Sequence, residues 1–214
     1  MNIIYCYDAY CGWCYGFSPV IKKIAEKYEG RLTFDVLSGG MILPEEPASI
    51  SMMAPYIQEA YKTVEEHTGI TFGEDFLWHI FHHEQSDWFP SSEKPAIAMC
   101  ILKEHAPEKA IQFAGDLQYA LNYEGRDLTD DEAYRHLLPM YGIDADAFYE
   151  KLHSEKYKEQ AYHEFATVQQ LQVKGFPAVF LQVTSGKFYL LANGYTSFEV
   201  LDERIQKVLQ EMQN

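Results

Sequence analysis

Positive charge is scarce in this 214-residue chain. It has 17 Lys and Arg against 32 Asp and Glu, a formal net charge of −15, and no basic run. A surface of that sign repels phosphate backbones and anionic lipid, which argues against general affinity for nucleic acid or membrane surfaces. No stretch approaches the roughly 18 consecutive apolar residues of a spanning helix. Met1 leads almost directly into an apolar, strand-like run, without a charged leader, apolar segment and cleavage site, so a cytoplasmic location is expected if this is the natural start. Cysteine is also sparse: Cys6, Cys11, Cys14 and Cys100 are too few to frame a chain this long with disulfides. In a reducing compartment they read as free thiols plus one reactive pair. Repeats and low-complexity tracts are absent.

What is present is enough for a sizeable core: one domain, or one domain with a large insertion, rich in aromatics (13 Phe and 16 Tyr). The chemistry is concentrated at Cys11-Gly12-Trp13-Cys14. Ahead of it the chain reads as a buried strand. After it Phe17, Val20, Ile21, Ile24 and Tyr28 recur at helical spacing. A cysteine at the start of a helix lies beside free backbone N–H groups and the positive end of the helix dipole, which favour its thiolate. The spacing points to thiol–disulfide exchange. The competing reading, half of a zinc site, needs about four ligands. No second Cys-x-x-Cys exists, and Cys6 and Cys100 are lone cysteines in apolar runs, assigned to packing.

Taken in order, the pattern predicts a strand over 3–7, a helix to about 29 with Pro19 inside it, and a strand over 31–38 stopping at Gly39-Gly40. Strand, helix and strand make a crossover, so the two strands should be parallel. From 44 to about 174 the pattern is helical. Ile57, Tyr61 and Val64 form an apolar stripe, Ser92 is read as a cap, and Phe113, Leu117 and Leu121 share a face. Thr129 with Glu132 reads as a capping box opening a helix that Gly142 ends. Asp144 and Ser154 are read as further caps. Gly175-Phe176-Pro177 breaks the pattern, and 178–183 with 187–192 read as a hairpin. Thr196 with Glu199 is expected to cap a last helix carrying Leu201, Ile205, Val208 and Met212. Trp88 and Phe89 are assigned to aromatic core. His79 and His83, at i and i+4, are a conceivable metal pair, but without an accompanying carboxylate motif a solvated or capping role is favoured.

Cys-x-x-Cys after the first strand, Pro19 five residues past Cys14, and Gly-x-Pro before a late hairpin together resemble the thioredoxin fold. The helical block between the two halves resembles the DsbA family. Asp8-x-x-Cys11-Gly12-Trp13-Cys14-Tyr15 resembles its cytosolic FrnE-like branch, whose motif usually has proline where Gly12 stands. The fold implied is α/β: βαβ…αββα, with residues 1–43 and 155–214 forming the thioredoxin-like domain and 44–154 a helical insertion domain. The resemblance implies that Cys11 is the nucleophile, that Cys14 resolves the mixed disulfide, and that Pro177 is cis beside the sulfurs. Phe176, Gly12 and Trp13 would then meet the substrate. Tyr5 stands where many relatives carry a buried acid, which leaves Asp8 or a water as the candidate for proton transfer. Trp13 replaces the histidine of strongly oxidising relatives, so a less oxidising couple is expected.

The function implied is a disulfide reductase or isomerase acting on protein or small-molecule disulfides. It would use glutathione or a thioredoxin-type reductant, with no cofactor beyond the cysteine pair and no metal. Two alternatives remain at this level: glutathione-dependent small-molecule chemistry of the kappa transferase kind, and a non-catalytic redox-responsive adaptor.

Overall fold

The computed structural model describes residues 1–212. The chain opens with β1 (Asn2–Tyr7), α1 (Gly12–Lys27) and β2 (Thr33–Ser38). After an irregular stretch and a 3-10 turn at Ile50–Met52 come α2 (Ala54–Thr68), α3 (Glu74–Phe81), α4 (Glu93–His105) and α5 (Ala110–Asn122). Two short helices, α6 (Leu138–Tyr141) and α7 (Ala145–Leu152), lead to α8 (Glu155–Gln170), the hairpin β3 (Ala178–Thr184) and β4 (Lys187–Asn193), and α9 (Phe198–Glu211). The sheet order is β2-β1-β3-β4, with β1 parallel to β2 and antiparallel to β3, and β3 antiparallel to β4. The predicted crossover and late hairpin are both present.

Alternation along β1 builds two apolar layers, because successive strand side chains point to opposite faces. Ile3, Tyr5 and Tyr7 join Phe17, Ile21 and Ile24 of α1 in a large core that continues through Met99 and Leu102 of α4 to Phe113 and Leu117 of α5. Ile4 and Cys6 enter a smaller cluster with Leu37, Phe180 and Val168 of α8. Full burial stabilises by about 1.5–3 kcal/mol per large apolar side chain, so residues of the sheet and of the helical block stabilise one another through a shared core. Pro19 sits within α1, and the hydroxyl of Ser18 donates to the Tyr15 carbonyl (2.8 Å), the acceptor that a proline at position 19 leaves without its helical donor.

Several local expectations are corrected. Residues 41–49 are irregular, and α1 stops at Lys27. The Thr129–Glu132 capping box does not form. The Thr129 hydroxyl donates to Asp127, and Asp130 caps a 3-10 turn at Asp131–Ala133. Pro139 also lacks the N–H that a continuous helix through this segment would require. Ser197, one residue past the expected Thr196, caps α9, because Thr196 turns its hydroxyl to the Gly194 carbonyl. Ser154 stands at the start of α8 without a side-chain cap bond. Trp88 is core, whereas Phe89 is 47% exposed, and Met212 is also exposed. Among the described residues no helix is long and apolar enough to cross a membrane.

Candidate active site

The end of β1, the start of α1 and the segment before β3 converge on the two cysteines. Cys11 is the residue that caps α1, and it does so with sulfur: its Sγ accepts the Cys14 amide at 3.3 Å. Its own amide donates to the Asp8 carbonyl (3.1 Å), which closes the turn between strand and helix. In front of Cys11 lies the Phe176 carbonyl, 3.6 Å from the sulfur, in a segment whose Phe176–Pro177 peptide is cis. Both cysteines are free thiols, Cys11 nearly buried and Cys14 wholly so. Burial pushes the Cys14 thiol well above its ordinary pKa. The hydrogen bond with Cys11 and the proximity of that sulfur's charge add to this, opposed by the Asp8 backbone amide. One sulfur is therefore held against the Cys14 amide at the helix start, while burial favours the protonated form of the other behind it.

Phe176 reaches this position because residue 39 is glycine. A Cβ on Gly39 would lie 2.1 Å from the ring's Cζ. Trp13 is half-buried, its ring edge-on to His67 (6.0 Å) and tilted against Tyr195 (6.3 Å). Gly12 lies against Phe72, whose Cζ would make ordinary contact, 3.4 Å, with a Cβ there. Pro177 is buried and its carbonyl accepts the Gly194 amide (2.7 Å), tying the segment to the end of the hairpin.

Asp8 is a buried carboxylate at the heart of the turn. It accepts from Tyr10 N (3.0 Å), Met41 N (2.7 Å) and the Ser92 hydroxyl (3.0 Å). Burial raises its pKa, and the hydrogen bonds from Met41, Tyr10, Ser92 and Gly40 pull against that rise. Ser92, expected to cap α4, spends its hydroxyl on Asp8 and makes no cap bond. The sequence offered no sign of this pairing across 84 positions. Tyr5 is wholly buried, and its hydroxyl faces the Cys14 thiol without forming a well-aligned hydrogen bond. Burial first, then the charges of Cys14 and Cys11, raise its pKa well above that of a free phenol.

The other two cysteines lie elsewhere. Burial, with Asp35 and Glu164 nearby, pushes the Cys6 thiol up to about 12, and burial with Glu164 raises Cys100 as well. His79 pairs through Nδ1 with Ser86 and stacks on Trp88 at 3.9 Å, while His83 pairs with Ser51. Among the described residues no group of three or more His, Cys, Asp or Glu is arranged to hold a metal.

Against Cys11 opens a cavity of about 380 Å³, walled by α2, the cysteine turn and residues 174–176. Ile57 and Tyr61, two residues of the apolar stripe on α2, are only half-buried because they line this space.

A mixed four-stranded sheet of this order, with a dithiol at the first helix and a cis-proline segment facing it, defines a thioredoxin-type redox fold. The chain belongs to the family of the DSBA-like thioredoxin domain, whose model matches residues 2–206. Its fold is similar to that of a putative protein disulfide isomerase from Nitrosomonas europaea (25% identity, 98% of each chain covered, TM-score 0.81). It is also similar to the cytosolic disulfide reductase DsbM from Pseudomonas aeruginosa (23% identity, 100% of each chain, TM-score 0.74). A second structure of DsbM, with GSH, matches at 22% identity and TM-score 0.73, covering 99% of this chain and 100% of that one. No curated protein sequence matches the chain.

Proposed function

We propose that the protein is a disulfide reductase or isomerase working through Cys11 and Cys14. The observation that carries this reading is the setting of Cys11 Sγ, held by the Cys14 amide at the start of α1 with the Phe176 carbonyl in front of it. The Cys11 thiolate attacks one sulfur of a substrate disulfide, and the other leaves as a thiolate that takes a proton from water. Cys14 then attacks the Cys11 sulfur, releasing the second thiol and leaving a Cys11–Cys14 disulfide. Two electrons and two protons pass to the substrate. Burial keeps Cys14 protonated until that step, and we assign Asp8, whose backbone amide bonds the Cys14 sulfur and whose carboxylate is buried in the same turn, as the group that takes up its proton.

Phe176 lends its backbone to an extended substrate segment. Its amide has no partner among the described residues, and edge pairing of this kind gives affinity without demanding a sequence. Gly12 and Trp13 line the same cavity. The oxidised pair is returned to dithiol by a small thiol such as glutathione or by a thioredoxin-type protein, so the cysteines themselves are the whole redox equipment. The Pseudomonas neighbour, a cytosolic protein by its name and solved with GSH, supports both that reductant and a cytoplasmic setting. Reduction of glutathione disulfide or of insulin tests the reading. Cys11→Ser should abolish turnover while leaving the fold intact; full activity in that variant would remove Cys11 from the mechanism.

A further inference from the structure

The cavity beside Cys11 has a chemical character of its own. Its walls are apolar, with Tyr61 edge-on to Phe72 (6.3 Å) and Phe72 stacked on Phe76 (5.5 Å). Met41 and Met53 add flexible, polarisable surface. One lining residue carries charge: Lys174, two positions before Phe176. Lys174 is exposed at the mouth, and among the described residues it has no ion-pair or hydrogen-bond partner. A volume of about 380 Å³ lies at the small end of the range for ligand sites, roughly 300–1,000 Å³, enough for one compact group and not for a length of polypeptide.

We propose that this cavity selects small disulfides in which one half carries an aromatic or branched apolar group and a single carboxylate. The inference rests on the disulfide-exchange reading and names its substrate class. The apolar group enters between α2 and Phe72, and the carboxylate stays at the mouth opposite Lys174. That places the sulfur of the same half at Cys11. Cys11 forms a bond to this sulfur as the S–S bond breaks, and the other half departs as its thiol. Attack by Cys14 on Cys11 then frees the seated half as a second thiol. A small thiol restores the dithiol, ending as its own disulfide. A glutathione half carries no aromatic or branched apolar group to fill the space between α2 and Phe72, so it gains little from these walls.

The test uses four disulfides against the pre-reduced full-length protein, with product thiols followed by chromatography: those of N-benzoylcysteine, N-benzoylcysteinamide, N-acetylcysteine and glutathione. The benzoyl carboxylate should react about tenfold faster than the acetyl compound and glutathione disulfide, the scale on which apolar pockets discriminate. Lys174→Gln should collapse the carboxylate-over-amide ratio, and Ala60→Trp, which intrudes on the cavity wall, should collapse the benzoyl-over-acetyl ratio. The wild-type ranking needs no variant to fold. Equal, Cys11-dependent rates for all four would overturn the inference and leave disulfide exchange standing. Absence of Cys11-dependent reaction with any of them would overturn both.

Discussion

Gly39→Ala is a one-methyl change, made away from the sulfurs, that should disturb the site. Gly39 has no positive φ among the glycines that do, so the backbone accepts alanine and only space is at issue. The new Cβ would stand 2.1, 2.5 and 2.7 Å from Cζ, Cε1 and Cε2 of Phe176. Ordinary contact begins near 3.4 Å, so 3.4 minus 2.1 leaves about 1.3 Å for the ring to give up. The backbone of Gly39 is pinned by a 2.7 Å bond from its amide to the Tyr7 carbonyl, so the ring must yield. It can swing into the cavity or carry the 175–177 segment away from Cys11. Overpacking of this kind costs about 1–3 kcal/mol. Urea unfolding should show that loss, and kcat/KM for disulfide reduction should fall about tenfold if the segment moves. Phe176→Val in the same chain should restore much of both, giving a coupling of about 1–2 kcal/mol in a double-mutant cycle. A Gly39→Ala protein as stable and active as the parent would refute the reasoning.

Two further outcomes follow from buried polar groups. Tyr5→Phe removes a wholly buried hydroxyl that faces the Cys14 sulfur without a well-aligned hydrogen bond, a burden of about 1–3 kcal/mol, so its Tm should equal or exceed that of the parent. A clear drop in Tm would mean that the hydroxyl is engaged after all. Glu164→Gln weakens a buried cluster in which Glu164 takes Lys103 at 2.7 Å and the Ser38 amide at 2.9 Å, and should cost about 3 kcal/mol at neutral pH. Burial lowers the Lys103 pKa, but Glu164 and Asp35 more than reverse this, so the net shift is upward. The cluster's contribution is therefore fully present below the unfolded lysine pKa and is lost as pH rises through the folded one. The stability gap between parent and Glu164→Gln should stay constant near neutrality and shrink above about pH 10.

Much of the frame was legible because it rests on local rules. Alternation marked the strands, Gly175-Phe176-Pro177 marked the return to sheet, and Cys-x-x-Cys marked the junction between β1 and α1 and, with the late proline, the family. What escaped depends on long-range pairing. Ser92 read as a cap because serine before Glu93 is a good cap. Only the folded chain brings its hydroxyl to Asp8. The stripe of Ile57 and Tyr61 was correctly read as one apolar face, but periodicity says that a face is apolar and not whether side chains or a void lie against it. Lys174 carried no motif, and only the folded chain shows that it lines the cavity without a partner among the described residues.

The most direct test of the central claim is a trapping measurement on Cys14→Ser. Incubated with the disulfide of N-benzoylcysteine or with glutathione disulfide, that variant should accumulate one stable adduct of a single substrate half. Peptide mass mapping should place it on Cys11. No adduct, or an adduct on Cys6 or Cys100, would contradict the assignment of Cys11 as the attacking sulfur.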